Sequence, residues 1–376
     1  MNRSIDTLTI QRFRGLSELA LEGLGSVNIL VGDNNSGKTS ILEGISIYSA
    51  PMDPYAWRTV ARRRVRGFEA LSTVEGVKWL FPQGQQATSD DAALFSGEIA
   101  LKGQGRTGAR ALRVLAQEIE EVVEPREEGA PRGAAEPFLA RGIDLTSELT
   151  LGAGGEQPRL FSTVLSQKMQ LRDVVRSARD RSTAERTEIL SAIISPFDHG
   201  LEELYKHRFR RAVLGDQKAQ VIDALRRIDP GIQDMEFLPG PMSTRGGGLY
   251  LRHTQSGRTP LSAFGDGVRR ALLMALTLVS VSGGHLLIDE IETAIHVSVL
   301  GGMFKWLVDS CREYDVQLFA TTHSLEALDA ILSAGQGHLD SIVGYRFPSL
   351  DHPGTVKRYE GEQLTRLRFD RGLDVR

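Results

Sequence analysis

A single cysteine among 376 residues leaves no possibility of an intramolecular disulfide or a multi-cysteine metal site. That residue, Cys311, lies in the helical pattern MFKWLVDSCREY, where a small apolar side chain suits a core. Long apolar runs are missing too. No stretch approaches the roughly twenty apolar residues of a bilayer span, and the opening MNRSIDTLTIQRFRG holds no uninterrupted apolar segment of the secretory kind. Even ALLMALTLVSVSGGHLLI, residues 271–288, is interrupted by Ser, Gly and His and follows Arg269 and Arg270, which reads as a core helix and then a buried strand. A cytoplasmic protein with no membrane partner is expected. An excess of one charge is also absent: the net charge of −3 and pI near 6.3 give no global basic field for nucleic acid, although a local patch is compatible with them. Lysine is scarce, eight of the 45 basic residues, and the arginine bias reflects genome composition as readily as phosphate recognition. No repeat period runs through the chain.

What is present begins with SVNILVGDNNSGKTSILEGISIYS, an apolar strand, a turn of Gly, Asp, Asn and Ser, and a helix carrying Ile41, Leu42, Ile45 and Ile47. It holds G-x-x-x-x-G-K-T in full. Such a loop, Gly32, Asp33, Asn34, Asn35, Ser36 and Gly37 followed by Lys38, Thr39 and Ser40, wraps an anion with backbone N–H groups. Lys38 adds a point charge, and Thr39 offers a hydroxyl to Mg2+, so ATP and Mg2+ are the expected ligands.

GGHLLIDEIETAIH, residues 283–296, supplies a second strand ending in Asp289 and Glu290. At the C-terminal edge of a parallel sheet Asp289 would serve the metal, and Glu290 would orient or deprotonate the attacking water. VQLFATTHSLEAL forms a third strand ending in Thr321, Thr322 and His323, a donor placed to sense a terminal phosphate. About twenty residues before the acidic pair stands LSAFGDGVRR, a Gly-Asp-Gly turn at the start of an apolar helix.

These strand ends, in the order P-loop, acidic pair, histidine, resemble the ATP-binding-cassette ATPases of the SMC-like, RecF-like and overcoming-lysogenization-defect (OLD) branch. The resemblance implies an α/β fold: a mixed, largely parallel sheet flanked by helices, an antiparallel β region and a helical signature lobe. It implies a signature turn acting in trans on a partner's ATP, carried over to Ser262, Gly265, Asp266 and Gly267. An Asp facing phosphate would be repelled, so Asp266 is expected to cap the helix while Gly265 and Gly267 make the contact. The pattern departs from the usual Ser-Gly-Gly, and in ETAIH His296 and Val297 stand where transporters carry Asp and where the OLD branch carries Pro. FRG at residues 13–15 resembles the element placed near the base, which brings in Arg14, or Arg12, as a nucleotide contact, and a lid-loop glutamine is offered by Gln83, Gln85 or Gln86.

The middle is poorer in chemistry. SGEIALKGQGRTGARALRVLAQEIEEV reads as a hairpin, EPREEGAPRGAAEP as a loop, and residues from about 168 to 228 as helical, AERTEILSAIISPF included. Arg58, Arg62, Arg63, Arg64 and Arg66 cluster in WRTVARRRVRG, as a solvated face, a protein-partner site or a phosphate track. A long coiled-coil arm is excluded. The organisation expected is one ATPase domain built from 1–160 with the P-loop and a β insertion, 161–245 as a helical lobe, and 246–376 with the signature helix, acidic strand and switch histidine. No Toprim metal motif follows, so the resemblance implies a short ATPase that dimerises or forms a higher homo-oligomer on ATP and controls a separate effector, a Toprim-like nuclease or toxin, in anti-phage defence. A RecF-like DNA repair ATPase is the alternative, and a transporter subunit, disfavoured by ETAIH, the third.

Overall fold

The computed structural model describes residues 4–62, 72–83, 94–106, 108–123, 138–152, 158–166, 188–238, 247–348 and 355–376. The chain divides into two compact units, one of residues 1–23 and 43–189, the other of residues 24–42 and 190–376.

Strands β1 (Thr7–Phe13) and β2 (Leu16–Glu22) form the first antiparallel pair, with Leu8, Ile10 and Phe13 buried on one face of β1. Next come β3 (Val27–Val31) and helix α1 (Lys38–Ser49), which begins among residues of the second unit and ends among those of the first. Two short helices, α2 (Pro54–Arg62) and α3 (Thr73–Lys78), precede β4 (Ser96–Gly105), β5 (Gly108–Val123), β6 (Phe138–Leu151) and β7 (Arg159–Ser166). The sheet of the first unit runs β2-β1-β4-β5-β6-β7, all antiparallel where paired, and includes the expected hairpin of β4 and β5. Gly44 of α1 lies where an added Cβ would stand 3.5 Å from both Ile10 and Leu101, so the absence of a side chain lets the helix sit close on the sheet.

The second unit continues with β8 (Ser191–Ile194), α4 (Glu202–Leu214), α5 (Lys218–Arg226) and the strands β9 (Ile232–Leu238), β10 (Gly248–His253) and β11 (Gly257–Pro260). It ends with α6 (Asp266–Ser280), β12 (His285–Ile288), α7 (Val297–Glu313), β13 (Gln317–Thr321), α8 (Leu325–Ala334), β14 (Ile342–Arg346), β15 (Lys357–Glu360) and α9 (Gly361–Thr365). Its larger sheet has the order β15-β14-β3-β13-β12-β8, parallel except for β15. Strands β3, β12 and β13 are buried at every residue, as parallel strands covered on both faces must be. Strands β9 to β11 form a small antiparallel sheet. Asn28 fixes the start of β3: its side chain accepts from Gly25 N–H at 2.7 Å and donates to the carbonyls of Gly25 and Leu318.

One helical expectation is corrected. Ser191–Ile194, inside AERTEILSAIISPF, is strand β8, registered in parallel with His285–Ile288 of β12. Its two isoleucines are buried, and edge pairing to an apolar neighbour outweighs a helical spacing that Pro196 would in any case stop. The preceding residues 168–187, the loop EPREEGAPRGAAEP, Arg63, Arg64, Arg66, Gln85 and Gln86 lie outside the described residues. Cys311 is buried in α7, and burial pushes its thiol up. Among the described residues no helix is long and apolar enough to cross a membrane.

Candidate nucleotide site

The sheet order places β3 beside β13 and β13 beside β12, so three segments distant in sequence end next to one another at the C-terminal edge, where ligands of parallel sheets bind. From β3 the chain turns through Gly32 at φ 144°, Asn35 at φ 64° and Gly37 at φ 88° before α1 starts at Lys38. Gly32 is required on a second ground, because a Cβ there would stand 2.9 Å from the carbonyl oxygen of Phe347. Asp33, Asn34 and Asn35 are exposed, Ser36 and Gly37 half-buried, and Lys38 and Ser40 buried.

Lys38 curls back into the loop. Its Nζ donates to the carbonyls of Gly32 at 2.8 Å and Asp33 at 2.7 Å and to Ser36 Oγ at 3.2 Å. Burial holds its ammonium below the usual lysine range, partly offset by the negative charges of Asp289, Asp33 and Glu290. Thr39 Oγ1 donates to the Asp289 carboxylate at 3.2 and 3.1 Å, and Thr321 Oγ1 donates to the same carboxylate at 2.7 Å. Thr321 also accepts the Glu290 N–H at 2.8 Å, so one hydroxyl at the end of β13 serves both acids at the end of β12. Glu290 has φ 47°, a left-handed backbone that only a few per cent of non-glycine residues adopt. Its carboxylate accepts from Thr293 Oγ1 at 3.0 Å. The His323 N–H donates to Glu292 at 3.0 Å, and its carbonyl accepts from Arg376 at 2.8 Å.

The Gly-Asp-Gly turn sits at the head of α6. Ser262, Gly265 and Asp266 are exposed, and Gly265 faces open space where a side chain would extend. A Cβ on Gly267 would lie 3.1 Å from Ala294 O. The expectation that Asp266 caps this helix is corrected: Gly265 is the N-cap, with no side-chain cap bond, and Asp266 is the first helical residue. Its carboxylate is engaged instead by Arg269, one turn on, and lies 3.7 Å from His199 Nε2. A carboxylate in the first turn meets the positive end of the helix dipole without capping it. Burial and the neighbouring Arg270 and Arg269 hold the His199 imidazole below its usual range against the opposing pull of Asp266.

Two residues that sequence reasoning passed over complete this cluster: Thr321, hidden in a run of threonines, and Arg270. Arg270 is wholly buried and donates to the carbonyls of Asp289 at 3.0 Å, Glu290 at 3.2 Å and Ser195. Its signal was one cation on the apolar side of a helical pattern, in line with Met274 and Thr277. Arg14 belongs to the first unit, where its Nε pairs with the buried Glu43 at 2.7 Å and Nη1 donates to Trp79 O. Arg12 pairs loosely with Glu98 at 3.8 Å. Gln83 donates to the carbonyls of Lys78 and Phe81, both at 2.9 Å. Arg58 lies over the Tyr55 ring, and Arg62 donates to Thr73.

A phosphate loop, an acidic strand end and a histidine follow three adjacent parallel strands of a mixed α/β architecture, the arrangement of a P-loop ATPase head. The chain belongs to the family described as "AAA domain, putative AbiEii toxin, Type IV TA system", which matches residues 142–329. It is 24% identical over 384 residues to the DNA replication and repair protein RecF of Acinetobacter baylyi, covering 93% of this chain and 98% of that one. It is 41% identical over 114 residues to the uncharacterized protein MJECL11 of Methanocaldococcus jannaschii, covering 30% of this chain and 98% of that protein. A 52-residue match to MJECL10 of the same organism, at 42% identity, spans only 24% of that protein. Among solved structures, the Smc head bound to the C-winged helix domain of ScpA aligns over 96% of this chain and 99% of its own at 14% identity and TM-score 0.49.

Proposed function

We propose that the protein binds and hydrolyses ATP with Mg2+ and that ATP joins two copies head to head. The observation that carries this is the cluster of Lys38, Thr39, Asp289 and Thr321: an amine poised in a glycine loop and a hydroxyl bonded to a carboxylate across 250 positions. Phosphate oxygens would replace the loop carbonyls as partners of Lys38, which removes the cost of holding a buried ammonium on neutral acceptors. Thr39 and Asp289 would hold Mg2+, whose chemistry is to spread the charge of the phosphates. Glu290 would hold the attacking water and accept its proton, while His323 would donate to the terminal phosphate as charge builds there. Gly265, Gly267 and Ser262 of a partner copy would close the site with N–H and hydroxyl donors, and twofold symmetry would make two such sites.

The use of the cycle is read as defence. An OLD-type scaffold that holds or releases a separate effector in answer to a phage product is the use that the toxin description of the family favours. A cytoplasmic location is proposed with it. The second reading, a RecF-like ATPase on DNA, is favoured by the likeness to RecF along 93% of this chain.

Mass photometry with ATP and Mg2+ tests the first step: Glu290→Gln should accumulate dimers or larger rings, and Lys38→Ala should remain monomeric. Adding proteins from neighbouring genes, or duplex DNA over a salt series, separates the two uses. Wild-type protein that neither binds nor hydrolyses ATP would overturn the reading.

A further inference from the structure

We infer that Arg270 is a positioning residue that ties the helix bearing the Gly265–Gly267 turn to the acidic pair of the same chain, so that engagement of the turn is felt at Asp289 and Glu290. The inference rests on the dimerising ATPase reading above. Arg270 is among the largest fully buried side chains of the molecule, a cation in a helix otherwise packed with Leu272, Leu273, Met274 and Leu276. A guanidinium in such a place is costly unless its donors are used, and here both terminal nitrogens are aimed at the backbone of two strand ends. One terminal nitrogen reaches Ser195 O, just past β8, and the other reaches Asp289 O at 3.0 Å and Glu290 O at 3.2 Å, just past β12. Only a planar fork does this; an ammonium on a flexible stem cannot hold the same three acceptors in fixed directions.

The target is a strained point of the site. Glu290 keeps φ 47° with its N–H on Thr321 Oγ1 and its carbonyl on Arg270, so both flanking peptide groups are pinned. Backbone of this kind persists only where its surroundings over-determine it. Arg270 lies four residues beyond Asp266, about one helical turn, so a shift or tilt of the turn moves the guanidinium with it. The Arg270 side chain therefore links the turn directly to the acids, and the Ser195 bond anchors its far side to β8. Ser195 is itself fixed, since Asp198 accepts from its N–H at 2.7 Å and from its hydroxyl.

The test compares Arg270→Lys with wild type in two assays. In steady-state hydrolysis we expect kcat to fall about 10- to 100-fold, the size seen when a supporting partner of a site is lost, with KM for ATP within about twofold. Combining it with Gly265→Ala should cost no more than the larger single loss, because both act on one path. In hydrogen exchange without nucleotide, residues 289–293 should exchange at least about tenfold faster while β12 stays protected. Unchanged exchange with wild-type kcat overturns the inference. So does an Arg270→Lys protein that does not fold, because the residue would then be a structural cation alone. Failure of the ATPase reading looks different: Lys38→Ala and Glu290→Gln would then behave as wild type, while the exchange result still decides on Arg270.

Discussion

The hydroxyl of Thr39 donates to both carboxylate oxygens of Asp289, at 3.2 and 3.1 Å, although 250 positions separate the two residues in the chain. A metal that binds at this point would take the place of this hydrogen bond, with the Thr39 hydroxyl, still protonated, and the Asp289 carboxylate as its oxygen donors. Thr39→Ala or Asp289→Asn should therefore raise the Mg2+ concentration for half-maximal hydrolysis by about 10- to 100-fold. The double variant should fall short of the product of the two, since both remove one coordination site. A magnesium titration of ATPase activity reads this directly.

Lys38 carries a second prediction, with a sign opposite to that of most basic groups. Its folded pKa lies below the unfolded 10.5, so between those two values the unfolded chain binds more protons and stability rises with pH. At neutral pH the buried ammonium is a cost that ATP removes. Lys38→Met should melt no lower than wild type without nucleotide at pH 7, with its margin shrinking as pH is raised toward 10.5. It should show no thermal shift with ATP. Scanning calorimetry across pH, with and without ATP, checks both halves.

His199 gives the acid side. Burial holds its folded pKa below the usual 6.5, so the unfolded state takes up the proton first as pH falls. The stability this group contributes is complete above 6.5 and is lost as pH drops through 6.5 toward the folded value. His199→Gln should flatten that part of the melting profile between about pH 7 and pH 5. A variant as acid-sensitive as wild type would show that the histidine is not the group responsible.

Gly265 separates folding from assembly. An added Cβ meets nothing within 4 Å and the φ of −63° suits any residue, so Gly265→Ala should melt within about 1 °C of wild type, as surface changes do. The methyl would stand where a partner's phosphate approaches the N–H groups. ATP-driven dimerisation, followed by mass photometry, should be lost, and kcat should fall about 100-fold, as when a donor to developing charge is removed.

Much of this site was legible in the sequence, because glycine loops and acidic strand ends are written in contiguous residues. The run from Gly32 to Thr39 and the pair Asp289 and Glu290 needed no tertiary information to be noticed. What could not be read was whatever a neighbour decides. Ser191–Ile194 has helical spacing around it and becomes a strand only because β12 is there to pair with it. Asp266 has the composition of a cap, yet Arg269 and His199 take its carboxylate and the cap passes to Gly265. Arg14 stood in a motif that suggested a nucleotide, while the structure gives it Glu43, a partner with no signal of its own in a helix of apolar residues. Arg270 seemed only a charge at the edge of an apolar run, because the carbonyls it serves carry no side-chain identity at all.

Strand β3, which feeds the phosphate loop, lies between β13 and β14, and both neighbours come from the far end of the chain. During synthesis it emerges from the ribosome early and must wait: 290 positions lie between Asn28 and the Leu318 carbonyl that its side chain holds. At about 5–20 residues per second that is a delay of roughly 15 to 60 s with a buried strand, apolar but for Asn28, unpaired. No nascent chain short of Thr321 can present Lys38, Thr39 and Asp289 together, so the nucleotide cannot template its own site during translation. Newly made protein should therefore depend on chaperones until its last strands are released.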